Sequence, residues 1–363
     1  MASTDVAKVD RWFIGGGAVH TPESARRQTY ASTGGAEGVG GAGDLLVRPW
    51  AVPGQGVRVA IGSGLALSRY VGGEAQTYMG TAYAEQIINT TPTGSSPSTG
   101  RSDLIVMRVK DPYAQGSPWP APALEDRPAE QYVYFEAIPG VPTTTTRLQD
   151  VPGRQNDTGI ALARIDFPAN TGTVNASMIK DLRKVARPQR EDVTFARPRV
   201  AADDSPQNYL TATVANGGEF FPGGGGYSNE FTVDVPTWAT RVIFDAEWIS
   251  VNYGPDRRPV GRYWLEFGDE YRPGTWPGKQ QFEFATQQFP FNATRNDAGS
   301  TSNWPLADNR SVPVKLRGKK ITVCFKAGVQ NVPGANHTWM DALSGLKCRI
   351  TFVESSATFE DAI

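Results

Sequence analysis

The chain has 363 residues with 36 Lys or Arg against 37 Asp or Glu, and this near-neutral balance supplies no net field to gather phosphates or anionic lipid. Hydrophobic residues at 39% and charged residues at 20% are too apolar for a disordered chain, and no apolar run approaches the ~20 residues that span a bilayer. Two domains of ordinary size fit the length, and the 39 Gly and 27 Pro, which interrupt helices and supply turns, favour an all-β architecture. No charged stretch followed by an apolar one opens the sequence, so synthesis and assembly in the cytoplasm are expected rather than secretion.

Residues 1–43 are rich in Gly, Ala, Ser and Thr and lack sustained periodicity. They read as an extended arm, which would lie against a neighbouring subunit because it holds few large apolar side chains. Gly38-Val39-Gly40-Gly41-Ala42-Gly43 formally satisfies the dinucleotide fingerprint, but the required strand before it and helix after it are missing from the pattern.

Residues 44–174 change to short strand candidates between turn residues: Asp44–Val47, Gly56–Ile61, Gly64–Leu67, Asp103–Val109 and Gln131–Ile138. Val57, Val59 and Ile61 alternate with Arg58 and Ala60, the period-two signature of a strand with one buried face. Asn89–Gly100 and the Pro-rich Asp111–Pro128 read as long loops.

One connector helix is expected over residues 175–187. Met178, Ile179, Leu182, Val185 and Ala186 fall at i, i+3, i+4, i+7 spacing, Asn175 could cap the start, and Pro188 stops continuation. About three turns are too few to be stable alone, so the stripe must pack on its own domain or on symmetry mates around a threefold axis. The second option makes Met178, Ile179, Leu182 and Val185 candidate oligomerisation contacts. Residues 188–208 then read as a polar, Pro-containing linker.

Residues 209–363 hold roughly eight further strand candidates, which suit a jelly-roll-like β-sandwich. They are Leu210–Val214, Glu230–Val235, Arg241–Val251, Arg262–Phe267, Gln281–Ala285, Val312–Leu316, Lys320–Lys326 and Leu346–Val353. In the last, Leu346, Cys348, Ile350 and Phe352 alternate with Lys347, Arg349 and Thr351. Cys324 and Cys348 lie in apolar runs, which favours buried free thiols over a disulfide.

Catalytic chemistry is poorly represented. The two histidines, His20 and His337, fall in polar or Gly-rich sequence without a nucleophile motif, and histidine and cysteine spacing matches no zinc site, so no cofactor and no metal are expected. Asp245 with Glu247, and Asp269 with Glu270, keep open an alternative, a glycan hydrolase using paired carboxylates. Trp276, Trp304 and Trp339 fall in loop-like polar sequence, where an indole can stack on a sugar or pin a long loop to the sandwich. These three are the candidate glycan contacts.

Several of these segments resemble minor tail and baseplate (tail-tip fibre) proteins of siphophages infecting actinobacteria. The likeness rests on the Gly-rich arm, Val57–Gly73 (VRVAIGSGLALSRYVGG) and Gly100–Pro112 (GRSDLIVMRVKDP), where Arg101, Asp103, Leu104, Ile105, Val106, Arg108, Val109 and Asp111 match a recurring strand pattern. Ile179–Pro188 resembles the connector that closes that domain, and Val233–Trp248 (VDVPTWATRVIFDAEW) the sandwich tips of tail fibres. The resemblance implies a non-enzymatic virion protein at the tail tip, assembled in the bacterial cytoplasm. Its expected partners are two further copies in a homotrimer, other tail-tip proteins and a host cell-surface glycan, with no nucleic acid and no membrane insertion.

Overall fold

The computed structural model of the chain describes residues 21–50, 56–70, 75–90, 92, 99–123, 132–197, 209–223, 229–254, 260–268, 286–290, 300–330 and 338–356. Two compact units divide them, the first reaching Pro188 and the second running Gln189–Glu354.

The first unit opens with a helix, α1 (Pro22–Thr33), inside the stretch expected to be an extended arm. Thr21 caps it through a hydrogen bond from the Ser24 N–H to Oγ1 at 3.1 Å, Pro22 occupies the first turn, and Gly34 ends it in the left-handed conformation at φ 62°. Its sequence carries no apolar stripe, so periodicity gave no warning; the signal lay in the Thr-Pro-Glu start.

The strands of this unit are β1 (Gly38–Val39), β2 (Val47–Pro49), β3 (Val57–Val59), β4 (Gly62–Leu67), β5 (Thr77–Ala82), β6 (Gln86–Ile88), β7 (Arg101–Val109), β8 (Val133–Val141), β9 (Gly159–Phe167) and β10 (Ile179–Asp181). They form small sheets β1-β4-β5 and β2-β3-β6 and a central antiparallel sheet β10-β9-β7-β8. β7 is buried almost throughout because both faces are covered. Ile105, Met107 and Val109 pack on a core shared with Leu45, Val57, Val59 and Ala66, while Leu104 and Val106 face a second cluster with Ile138, Val141, Leu148 and Val151. In β9 the register slips at Leu162, between the pairs Ile105–Ala163 and Val106–Ala161. This bulge lets Ile160 and Leu162 join Ala163, Ile165 and Phe167 in one core.

The expected connector helix over 175–187 is not formed. Ala176–Met178 makes one 3-10 turn and Ile179–Asp181 is strand β10, paired with Ile165, Arg164 and Ala163. Beyond it, the Leu182 N–H donates to the Leu162 carbonyl, Val39 donates to Lys184, and Ala186 donates to Val39. With its backbone groups committed to β9 and β1, this segment has none left for a helical ladder. The close passage beside β1 needs Gly38, where a Cβ would collide with the Lys184 carbonyl oxygen. Met178, Ile179, Leu182 and Val185 therefore do not form a helical stripe. Met178, Ile179 and Val185 pack on the first core and Leu182 on the second, all within the unit itself.

The second unit contains β11 (Arg190–Arg197), β12 (Glu219–Phe220), β13 (Glu230–Asp234), β14 (Arg241–Tyr253), β15 (Val260–Phe267), β16 (Thr286–Pro290), β17 (Ser300–Ser311), β18 (Lys320–Val329), β19 (Thr338–Trp339) and β20 (Gly345–Val353). One sheet runs β11-β20-β14-β17; in the other, β13 and β12 both pair with β18, followed by β15 and β16. Setting aside the two-residue strands β12 and β19 and ranking the other eight in chain order, the sheets read 1-8-3-6 and 2-7-4-5. That order is a jelly roll. Its first strand is β11, which occupies part of the expected linker: residues 190–197 pair along their whole length with β20, from Arg190–Val353 to Arg197–Leu346.

Both sheets contribute to one core. Trp248 meets Phe325 edge-on at 5.5 Å and donates its indole N–H to the Phe221 carbonyl, and Phe244 meets Phe267 at 5.3 Å. Two expected strands are instead apolar plugs. Leu210 and Val214 are buried around a 3-10 turn at Val214–Asn216, and Val312 and Leu316 flank another at Val314–Leu316, where Pro313 cannot donate to a ladder. Gln281–Ala285 lies outside the described residues. Cys324 and Cys348 are buried free thiols, as the apolar context suggested.

Candidate binding cleft around Arg108 and Trp119

The two described aromatic residues expected to contact glycan both pack against other rings of the second unit. Trp276 lies outside the described residues, as do His20, His337, Asp269 and Glu270. Trp304 is not in a loop but in β17, 3% exposed, its ring stacked on Tyr263 at 4.8 Å. Apolar burial won over the polar sequence around it because its strand neighbours alternate outward. Trp339 is half-buried in β19 and packs edge-on against Tyr209 at 5.4 Å, which is the loop-pinning role.

Asp245 and Glu247 do share the outer face of β14, yet both sit on a sheet surface among basic neighbours. Lys347 approaches Glu247 at 2.7 Å and Asn303 donates to it at 3.0 Å. The Lys347 hydrogen bond holds the Glu247 carboxyl below the usual carboxylate range, so it remains ionised where a glycosidase acid would hold a proton.

The motif strand β7 leads to a different place. Its polar residues are all engaged. Arg101 grips the buried Asp103 through both carboxylate oxygens, at 2.8 and 2.9 Å, because residues two apart on a strand share a face. Arg108 is 5% exposed and bridges Glu136 at 3.0 Å and Asp157 at 2.7 Å. Just past the strand, Asp111 accepts from the Tyr78 hydroxyl at 2.8 Å and the Tyr113 N–H at 2.9 Å, and Arg26 of α1 lies 3.5 Å away. The Asp111 N–H donates to the Tyr70 hydroxyl, which donates to the Val109 carbonyl. Burial first, and then the carboxylate of Asp111, push the Tyr78 hydroxyl pKa upward, so it stays a donor.

Around Arg108 opens a cleft of about 780 Å³, walled by Ser68, Arg69, Arg108, Trp119, Arg154 and Asp157. Its size is that of a small-molecule site. The Trp119 ring holds the Arg108 guanidinium 5.2 Å and the Lys110 ammonium 5.3 Å from its centroid. Arg154 reaches Asp157 at 3.0 Å, and Arg69 reaches Glu37 at 2.6 Å. A hydrogen bond from the Arg69 N–H to Thr158 Oγ1 ties the wall after β4 to the loop before β9. Ser68 Oγ and Arg69 Nε are buried on this wall and hydrogen-bond to nothing among the described residues. Three guanidinium groups and one carboxylate thus face the cavity, with Glu37 and Glu136 outside its lining. Such a wall suits recognition of an oxygen-rich ligand. Its one carboxylate, Asp157, is held between Arg108 at 2.7 Å and Arg154 at 3.0 Å.

Sequence reasoning did not find this site. Its walls come from residues 68–70, 108, 116–119 and 153–157, so no local motif marks it. The available signal was Trp119 itself, an indole in the Pro-rich excursion.

No model of a known protein family matches the chain, and no curated protein matches it. Among solved structures, the infectious bursal disease virus VP2 subviral particle superposes with a TM-score of 0.26 at 11% identity, over 90% of this chain and 72% of that one. The infectious bursal disease virus Gx strain gives 0.25 at 12% identity, over 90% and 73%. Dimeric latent PorU from Porphyromonas gingivalis gives 0.22 at 12% identity, over 72% and 25%. None of these superpositions reaches the level from which a shared fold follows.

Proposed function

We propose that the chain is a structural, non-enzymatic virion protein of a phage tail tip or baseplate, forming a homo-oligomer and contributing to host-surface attachment. The observation that carries this reading is the jelly-roll strand order of the second unit, an architecture that recurs in viral structural proteins and in lectins. Fold by itself assigns no function. The direction toward a tail comes from the likeness of the β7 segment to siphophage minor tail proteins, and the engagement of Arg101, Asp103, Arg108 and Asp111 in holding the first unit together suits a motif kept for architecture.

The homotrimer in this reading draws no support from residues 175–187, whose apolar side chains are used internally. Light scattering on the purified chain tests it, with a trimer mass as the expected result. Antibody against the second unit should decorate intact particles at one end of the tail. A monomer that turns over bacterial cell-wall glycan and is absent from particles would overturn the reading in favour of the hydrolase.

A further inference from the structure

We infer that the cleft beside Trp119 binds a saccharide carrying a carboxylate group. This deepens the attachment reading and rests on it only for where such a sugar would be met. The wall chemistry carries the assignment. Arg69, Arg108 and Arg154 face the cavity against the single carboxylate of Asp157, which leaves the lining cationic although each guanidinium has a carboxylate partner. A ligand carboxylate can join these forks from the open side, since a guanidinium presents five N–H donors and two are needed for a bidentate pair.

The second part of the assignment is the sugar. Ser68 Oγ and Arg69 Nε are buried polar atoms that hydrogen-bond to nothing among the described residues, and a buried polar atom left unmatched is destabilising. Both residues line the cleft, and a rotation of either side chain toward it would let a polyhydroxylated ring supply the missing partner. The half-buried indole of Trp119 borders the same cavity, and an indole offers an apolar face to the C–H groups of a pyranose. A bare inorganic anion would use the guanidinium groups and make no contact with the part of the indole that Arg108 and Lys110 leave uncovered. A neutral sugar would use the indole and leave the guanidinium N–H groups on the open side of the cleft without a charged acceptor.

The experiment titrates the full chain separately with D-glucuronate, D-glucose and inorganic phosphate, followed by ligand-observed NMR. D-Glucuronate is expected to bind at least about tenfold more tightly than either of the others, the scale of one charge-assisted bidentate contact. Arg154→Gln should weaken glucuronate by about tenfold. Ser68→Ala, which removes one hydroxyl and leaves every ion pair in place, should weaken it by about threefold with an unchanged melting temperature. Equal binding of glucose, phosphate binding as tight as glucuronate, no detectable glucuronate binding, or binding indifferent to both variants would each overturn the assignment. Solution mass and particle labelling are independent of these titrations, so failure here and failure of the virion reading are read separately.

Discussion

Arg183 grips the carboxylate of Asp181, two residues earlier, through Nε and Nη2 at 3.0 and 2.7 Å, and its remaining nitrogen donates to the carbonyls of Ala42 and Asp44. One side chain with no solvent exposure thus ties the segment after β10 to the turn between β1 and β2. Lysine cannot reproduce that planar fork. Arg183→Lys should destabilise the first unit by about 3 kcal/mol, through a carboxylate that has lost its two-pronged partner and two carbonyls that have lost the guanidinium as a donor. Urea unfolding read by a probe in that unit checks this; an unchanged midpoint would contradict the clamp.

Trp304 should behave as a core residue. Trp304→Ala removes a ring stacked on Tyr263 and in contact with Phe221, and is expected to cost about 3–5 kcal/mol of stability. Trp304→Phe, which keeps an aromatic ring, should cost less and leave binding of any saccharide unaltered. A Trp304→Ala chain with wild-type stability and lost glycan binding would restore the surface role expected from the sequence.

Alkaline pH should weaken the second unit first, because its buried thiols have a lower unfolded pKa than the buried tyrosines of the first. Burial pushes the Cys324 and Cys348 thiols up to about 12, and burial does the same to the Tyr263 hydroxyl. An unfolded thiol loses its proton from about pH 8.5, so above that pH the unfolded chain binds fewer protons than the folded one and stability falls as pH rises. The loss continues until the folded values near 12 are reached. Each such group contributes about 1.4 kcal/mol per pH unit within that window. Melting temperatures between pH 8 and 10.5 measure the slope, and Cys324→Ala with Cys348→Ala should flatten it.

Strand β11 should decide whether the jelly roll folds alone. A fragment of residues 189–363 retains the first strand, whereas a fragment of residues 209–363 exposes the ladder of β20 from Leu346 to Val353. The longer fragment should give a cooperative melt, and the shorter should aggregate through its open sheet edge. Equal behaviour of the two would show that β11 is dispensable.

Where alternation was regular, the fold was legible in advance. Leu346, Cys348, Ile350 and Phe352 are buried as their period demanded, and the all-β class with one short helix holds. The helix itself sits elsewhere than expected, because the spacing of Met178, Ile179, Leu182 and Val185 fits a helical stripe while those side chains serve an extended chain lying between two cores. Periodicity cannot distinguish these when the partners of the backbone are unknown. β11 escaped notice for a related reason. Its pattern of exposed Arg190, Glu191, Asp192 and Thr194 between half-buried Val193 and Phe195 is that of a charged edge strand, which in sequence looks like a linker. The cleft was hidden more deeply still, since Ser68, Arg108, Trp119 and Arg154 meet only in three dimensions.

The pairing of β11 with β20 has a consequence for how the jelly roll can be handled as a piece. Arg190 stands opposite Val353, the Glu354 N–H donates to the Gln189 carbonyl, and the Glu354 carboxylate accepts from the Gln189 N–H at 3.3 Å. The chain enters and leaves the unit through adjacent backbones. A domain whose ends touch can be cut from one polypeptide and set into a surface turn of another without stretching either, which makes residues 189–354 a transplantable cassette.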